Sequence, residues 1–218
     1  MKRYAVVGAS SGVGREIVRH LASRGDFVRA IARNPEAAER RVEPWAADVT
    51  DAAAMDIALD GNFDAVFFTV DIHGRGLQRD QVRKLMVDGS ANAVAAAKAA
   101  GVRRFVLLSV IGADKGSWIW WLLNAMKPGM RDNVLERELA LAASGLEFVI
   151  CRAARLVDGE DERGTVVTLP RHRMAMSRTI RRTNLACILV DAAEHAPPNS
   201  TWDVFSAVGE DMDVPWPA

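Results

Sequence analysis

A single tyrosine, Tyr4, and two cysteines, Cys151 and Cys187, stand in a chain of 218 residues. Two thiols in apolar surroundings build no disulfide framework, which excludes the small, multiply stapled secreted domain. Histidine is scarce too, at four, and no Cys/His/carboxylate cluster has metal-ligand spacing, so no metal site is expected. Charge of one sign is missing: 28 basic side chains balance 28 acidic ones and leave no long-range field for nucleic acid or an anionic membrane. Long hydrophobic runs are absent as well. The most apolar stretch, Trp118–Met126, is too short to span a bilayer and contains Asn124. No signal-peptide pattern opens the chain, and two unpaired thiols suit a cytoplasmic setting. What is plentiful is hydrophobic content, 50% of the residues, enough for a sizeable core.

Strand-like and helix-like segments alternate. Apolar, β-branched runs predict strands over 4–7, 27–32, 43–47, 65–70, 105–109 and 148–151, with weaker ones over 166–169 and 204–206. Between them the pattern predicts helices over 12–24, 35–40, 51–59, 77–100, 133–144 and 184–194. Continuous apolar strands joined by helices imply a parallel sheet covered on both faces. The expected fold class is therefore α/β, a doubly wound, mostly parallel Rossmann-like sheet in a single domain over 1–218. Its substrate side is expected mainly from 110–130 and 153–183, where the alternation loosens.

One stretch carries chemistry. In Ala5-Val6-Val7-Gly8-Ala9-Ser10-Ser11-Gly12-Val13-Gly14 an apolar strand breaks into a glycine-rich turn and opens a helix whose Val13, Ile17, Val18 and Leu21 form one apolar stripe. Gly8 suits the turn, while Gly12 and Gly14 remove the Cβ atoms that would hold a pyrophosphate off the helix end or the helix off the sheet. Gly8, Ser10, Ser11, Gly12, Val13 and Gly14 are thus candidate cofactor-phosphate residues at an electropositive helix N-terminus. The spacing is G-x-x-x-G-x-G rather than G-x-G-x-x-G, and a tight turn without ligand is the plainer alternative. At the end of the second predicted strand, where an acidic residue would accept from a free ribose 2′-hydroxyl, the chain has Ala32-Arg33-Asn34. Arg33 can instead pair with a 2′-phosphate, so NADP (NADPH) is the expected cofactor. Asp48 and Val49, after the third strand, are placed at the adenine, and Thr69 and Val70, after the fourth, along the adenosine half. Helix N-capping by Asp48 or Thr50 is a compatible role.

Together, Val28-Arg29-Ala30-Ile31-Ala32-Arg33-Asn34-Pro35, Ala47-Asp48-Val49-Thr50-Asp51, the run 87–113, the run 143–152 and Ile180-Arg181-Arg182-Thr183-Asn184-Leu185-Ala186 resemble the atypical short-chain dehydrogenase/reductases of the NAD(P)H-binding, NmrA-like type. The resemblance covers nearly the whole chain. It implies an NADP-binding oxidoreductase, and some members reduce flavins, biliverdin-like pigments or quinones, which points to a small planar or conjugated substrate. Active enzymes of the wider superfamily use a Tyr-x-x-x-Lys pair, in which lysine lowers the phenol pKa. Here Met130 and Val134 occupy those two positions, and Tyr4, the only tyrosine, lies in the first strand. The usual serine pair is reduced to Ser109-Val110, and Arg-Pro-Gly becomes Arg152-Ala153-Ala154.

Remaining candidates for the chemistry are Ser109, near the nicotinamide, and His73, in a glycine-flanked loop with Asp71 as neighbour. His172, in Arg171-His172-Arg173, either meets an anionic substrate or decorates a solvated turn. Trp118, Trp120 and Trp121 form a polarizable wall for a flat substrate, or else belong to a core-facing helix or a subunit interface that would make a homodimer. Two alternatives to a reductase stand beside it: a catalytically silent NADP-binding sensor, and a non-redox isomerase or cyclase reusing the fold.

Overall fold

The computed structural model describes residues 1–35, 40–72, 74, 76–159, 164–207 and 216. Its frame is set by short, predominantly apolar runs. Strands β1 (Arg3–Val7), β2 (Phe27–Ala32), β3 (Val42–Ala46), β4 (Ala65–Phe68), β5 (Arg104–Val110) and β6 (Glu147–Ala153) pair in parallel. Burial on both faces explains why they show no strict polar alternation. After β6 come β7 (Arg155–Val157), β8 (Gly164–Thr168), β9 (Thr179–Arg181) and β10 (Ser200–Ala207). The large sheet has the order β3-β2-β1-β4-β5-β6-β10-β8, with only the edge strand β8 antiparallel, while β7 and β9 form a separate parallel pair. Because β1 lies between β2 and β4, the direction of winding reverses there. That reversal opens a crevice at the C-terminal ends of β1 and β4, the place where doubly wound sheets bind ligands.

Helices α1 (Gly12–Ser23) and α7 (Arg182–His195) cover one face, where Ile17, Leu21, Leu185 and Leu189 pack on Tyr4, Val6, Val106 and Val149. On the other face lie α2 (Ala52–Leu59), α4 (Gly89–Ala99) and α6 (Met130–Ala143), with Met55, Leu59, Ala93, Ala97 and Leu141 on Val7, Val66, Phe68, Leu107 and Ile150. Helix α3 (Arg79–Arg83) runs into α4 through a π turn at Lys84–Asp88, so the single helix expected over 77–100 is interrupted. Past the turn, Gly89 abuts Val49 so closely that a Cβ would fall 2.7 Å from Val49 Cγ2.

Helix α5 (Trp118–Met126) closes the C-terminal end of the sheet. Its Trp120 is buried with Ile72, Val82, Met86, Met130 and Val134, while Trp118, Trp121, Leu122 and Met126 form an exposed apolar stripe. The helix expected over 35–40 lies largely outside the described residues. Among the described residues no helix is long and apolar enough to cross a membrane.

Candidate functional site

The glycine loop is shaped by what cannot fit. Gly8 leaves β1 at φ +95°, and both its amide and that of Ala9 donate to Ile31 O, at 2.9 and 3.1 Å. A Cβ on Gly8 would lie 2.8 Å from Thr69 Oγ1, and one on Gly14 only 2.2 Å from Gly8 O. Gly14 is therefore what lets α1 rest on β1 and β4. Gly12 differs: its φ is +56°, and a Cβ there would meet only Arg182 Nε, at 3.9 Å. Ser11 stands at the helix N-cap without a side-chain bond to the first turn, which contains no acidic residue. Ser10 holds the loop from behind, its carbonyl accepting from the Arg15 guanidinium at 2.8 Å. The amides of Gly12, Val13 and Gly14 thus open a helix end whose positive field has no side-chain anion, beside a glycine that leaves room for one. These residues fit the pyrophosphate of a dinucleotide.

Thr69 sits behind this loop, its hydroxyl donating to Val7 O at 3.0 Å, with Val70 next in line. On the other side, Arg33 follows β2 exposed, close enough to Asp48 for its charge to act on that carboxyl. Asp48 Oδ1 accepts from the Thr50 amide and hydroxyl, both at 2.9 Å. The amide bond first, then the hydroxyl and the charges of Arg33 and Lys84, outweigh partial burial and hold its carboxyl below the usual range. Neither Asp48 nor Thr50 caps α2, as the sequence suggests; Asp51 does, accepting from the Ala54 amide at 3.1 Å. Val49 is buried, and its carbonyl accepts from Asn92 Nδ2 at 2.9 Å.

Beyond β4 the polar residues of the sheet are organised by register. Ser109 on β5 pairs with Arg152 on β6, Arg152 with Asp203 on β10, and Asp203 with Thr168 on β8, so four polar residues form one row across the sheet. Partners in register point to the same face. Here that face is covered by α6, which lowers Glu138 onto the row. Ser109 Oγ donates to Glu138 Oε1 at 2.5 Å, and the same carboxylate takes Arg152 Nη2 at 2.6 Å and Nε at 3.1 Å. Arg152 Nη1 reaches Asp114 Oδ1 at 3.2 Å. Ser109, Glu138 and Arg152 are all buried, which makes the pairing obligatory.

Beside them Arg137 donates to Leu108 O at 3.0 Å from the helix turn that follows Val134. Asp203, almost without exposure, accepts from the Arg171 and His172 amides, each at 2.9 Å, and from His172 Nδ1 at 3.1 Å. The basic loop is consequently fastened to β10 rather than solvated throughout. It also presses on the end of β5, since a Cβ on Gly112 would fall 2.6 Å from Met174 N. The segments 110–130 and 153–183 do meet.

Sequence reasoning missed Glu138, Asp203 and Arg137. A signal for Glu138 existed: with Val134 and Leu141 it lies on one helical stripe, where a carboxylate calls for a buried cation. His73 lies outside the described residues. Tyr4 is far from this end, near the start of β1, with its hydroxyl bonded to Glu194 Oε1 at 2.6 Å. Met130 and Val134 are buried in the cluster around Trp120. Among the described residues no group of His, Cys, Asp and Glu is arranged to hold a metal.

A doubly wound sheet with a glycine-bounded helix N-terminus at its switch point defines a dinucleotide-binding protein of Rossmann type. The chain belongs to the NAD(P)H-binding family, which it matches over residues 8–196. It is 27% identical over 215 residues to the UPF0659 protein YMR090W of Saccharomyces cerevisiae, covering 91% of this chain and 89% of that one. Its fold is that of the Bordetella bronchiseptica enzyme WbmH, solved with NAD+, at TM-score 0.75 and 20% identity over 95% of this chain and 76% of that one. It is likewise that of a Veillonella parvula short-chain dehydrogenase/reductase solved with NADP, at TM-score 0.74 and 15% identity over 93% of this chain and 94% of that one.

Proposed function

We propose that this protein is an NADP-dependent reductase of the atypical short-chain type, acting on a small planar or conjugated molecule without a tyrosine proton donor. The observation that carries the cofactor choice is Arg33, exposed at the end of β2 with its charge directed at Asp48, where Lys84 adds a second cation. A 2′-phosphate finds two positive groups there, and the Asp48 carboxylate is already engaged by Thr50.

In this reading Gly8, Ser10, Ser11, Gly12, Val13 and Gly14 hold the pyrophosphate, Asp48 and Val49 flank the adenine, and Thr69 and Val70 pass over the adenosine half. The bound cofactor supplies hydride chemistry. Ser109, fixed by Glu138 and Arg152, sets the floor beneath the nicotinamide and keeps its remaining lone pairs as an acceptor. No side chain of α6 offers a proton to substrate, so water or a substrate group delivers it. His73 is the remaining protein candidate for that step. Segments 110–130 and 153–183 form the substrate wall, and the exposed stripe of α5 is the face for a homodimer. Free Cys151 and Cys187 suit the cytoplasm.

One observation favours a second reading: Ser109 gives its proton to Glu138, and apolar Met130 and Val134 hold the place of the acid pair, as a sensor that binds without turning over would have. The experiment is a titration of NADPH against NADH for the wild type and Arg33→Ala, followed by NADPH oxidation with flavin, quinone and enone panels. Arg33→Ala is expected to weaken NADPH about tenfold and leave NADH unchanged. Equal NADPH affinity in both proteins would refute the cofactor choice, and tight binding with no acceptor turned over would refute the reductase in favour of the sensor.

A further inference from the structure

Arg182 has no role in the row beneath the substrate, and its position is poor for helix stability. It is the first residue of α7, where the macrodipole is positive, and the first turn of that helix holds no acidic residue. Its guanidinium faces the glycine loop instead. Nε lies 3.9 Å from the point a Cβ would occupy on Gly12, and no other group comes within 4 Å of that point. Nη1 meanwhile pairs with Asp158 Oδ1 at 2.6 Å. The side chains of Arg182 and Asp158 are 29% and 81% exposed, so this pair is weak and exchanges readily. The parallel pairing of Val157 with Arg181 fixes the two residues side by side, just past the ends of their strands.

We infer that Arg182 is a phosphate clamp: it leaves Asp158 and pairs with the dinucleotide pyrophosphate seated on Gly12–Gly14, closing the β7–β9 unit onto the glycine loop. This rests on the dinucleotide reading above. The pyrophosphate brings a stronger partner than one exposed carboxylate, because two charged phosphates there share the field of the α1 N-terminus. Arg182 and Arg33 then divide the cofactor between them. Arg33 reads a group that only NADPH carries, and Arg182 reads a group that NADPH and NADH share.

The test is a fluorescence titration of NADPH and of NADH against the wild type, Arg182→Gln, Arg182→Lys and Asp158→Asn, with circular dichroism to verify folding. Arg182→Gln is expected to weaken both dinucleotides by about tenfold, and Arg182→Lys by less, since a lysine keeps the charge and loses the fork. Asp158→Asn, a change at an exposed residue, is expected to tighten both by about two- to fivefold, because the competing partner is gone. Unchanged affinities in Arg182→Gln, or a loss confined to NADPH, would overturn the clamp. So would an Asp158→Asn protein that binds no tighter, a result that stands even if Arg182→Gln folds poorly. A wild type that binds neither dinucleotide refutes the cofactor reading itself, and the clamp with it.

Discussion

Gly14→Ala and Gly12→Asn, two substitutions two residues apart, are expected to fail in different ways. In Gly14→Ala the new Cβ would lie 2.2 Å from Gly8 O, 2.9 Å from Gly8 C and 2.6 Å from Thr69 Oγ1. Two of those three atoms are backbone, so relief requires α1 to retreat from β1 by about 1 Å or more before ordinary van der Waals distance is restored. Overpacking of this kind costs about 1–3 kcal/mol, and rigid neighbours place it at the upper end. For a chain of this size each kcal/mol lowers Tm by roughly 2–4 °C, which predicts a fall of roughly 6–12 °C. Gly12 sits at φ +56° with open space beyond it, and asparagine tolerates that backbone region. Gly12→Asn should therefore melt close to the wild type while its side chain fills the phosphate seat. Thermal unfolding with and without NADPH reads both effects, since ligand at 100 times Kd stabilises by about 2.7 kcal/mol. Wild-type behaviour of Gly14→Ala would refute the packing argument. A Gly12→Asn protein that keeps its full NADPH-induced shift would refute the assignment of the phosphate seat.

Two further predictions concern buried charge. Glu138→Ala leaves Arg152 with the Asp114 pair and the charge of Asp203, removes the acceptor of Ser109, and should cost about 3 kcal/mol in urea unfolding. Glu138→Gln, which retains an acceptor oxygen, should cost less, and an alanine variant as stable as the wild type would remove the row's claim to hold this end of the fold. At Glu194 burial alone would raise the carboxyl pKa, but bonds from Tyr4 and Arg24, the Arg24 charge and the Lys2 bond reverse this and bring it to about 2. A folded-state value below the ordinary 4.5 means the stabilisation is fully present above that pH and is lost as pH falls toward 2. Glu194→Gln should flatten the stability curve in that window, and unchanged acid sensitivity would show that other carboxylates govern it.

Most of the strands β1 to β6 were legible because burial on both faces writes itself as mainly apolar runs, and the glycine loop because positive φ and close approach demand glycine. Edges and short elements were less so. Strands β7 and β9 have three residues each, too few for any period to register. The π turn at Lys84–Asp88 keeps the composition of the helix around it, so nothing in the spacing marks it. Arg33 was visible as a cation at a strand end. Lys84, its companion at Asp48, was not, because 36 positions separate it from Asp48 and only the fold brings its charge to bear there. The row Ser109–Arg152–Asp203–Thr168 was hidden for a similar reason: alternation along a strand tells which face a residue takes, and only register tells which residues stand abreast.

That register also bears on the proton. In the wider superfamily the tyrosine and lysine stand four apart on one helix; in the proposed alignment those positions fall on Met130 and Val134, packed under Trp120 with Ile72, Val82 and Met86. The two buried charged residues of α6 come one turn later, at Arg137 and Glu138, and both bond to the sheet, one to Leu108 O and the other to Ser109 and Arg152. This turn of α6 therefore buries its charged groups against the sheet. Restoring a tyrosine at Met130 would consequently set a phenol into an apolar cluster with no cation at position 134 to lower its pKa, and burial would raise that pKa further. On the proposed reductase reading, the proton donor therefore comes from a loop over the sheet or from solvent, and not from α6.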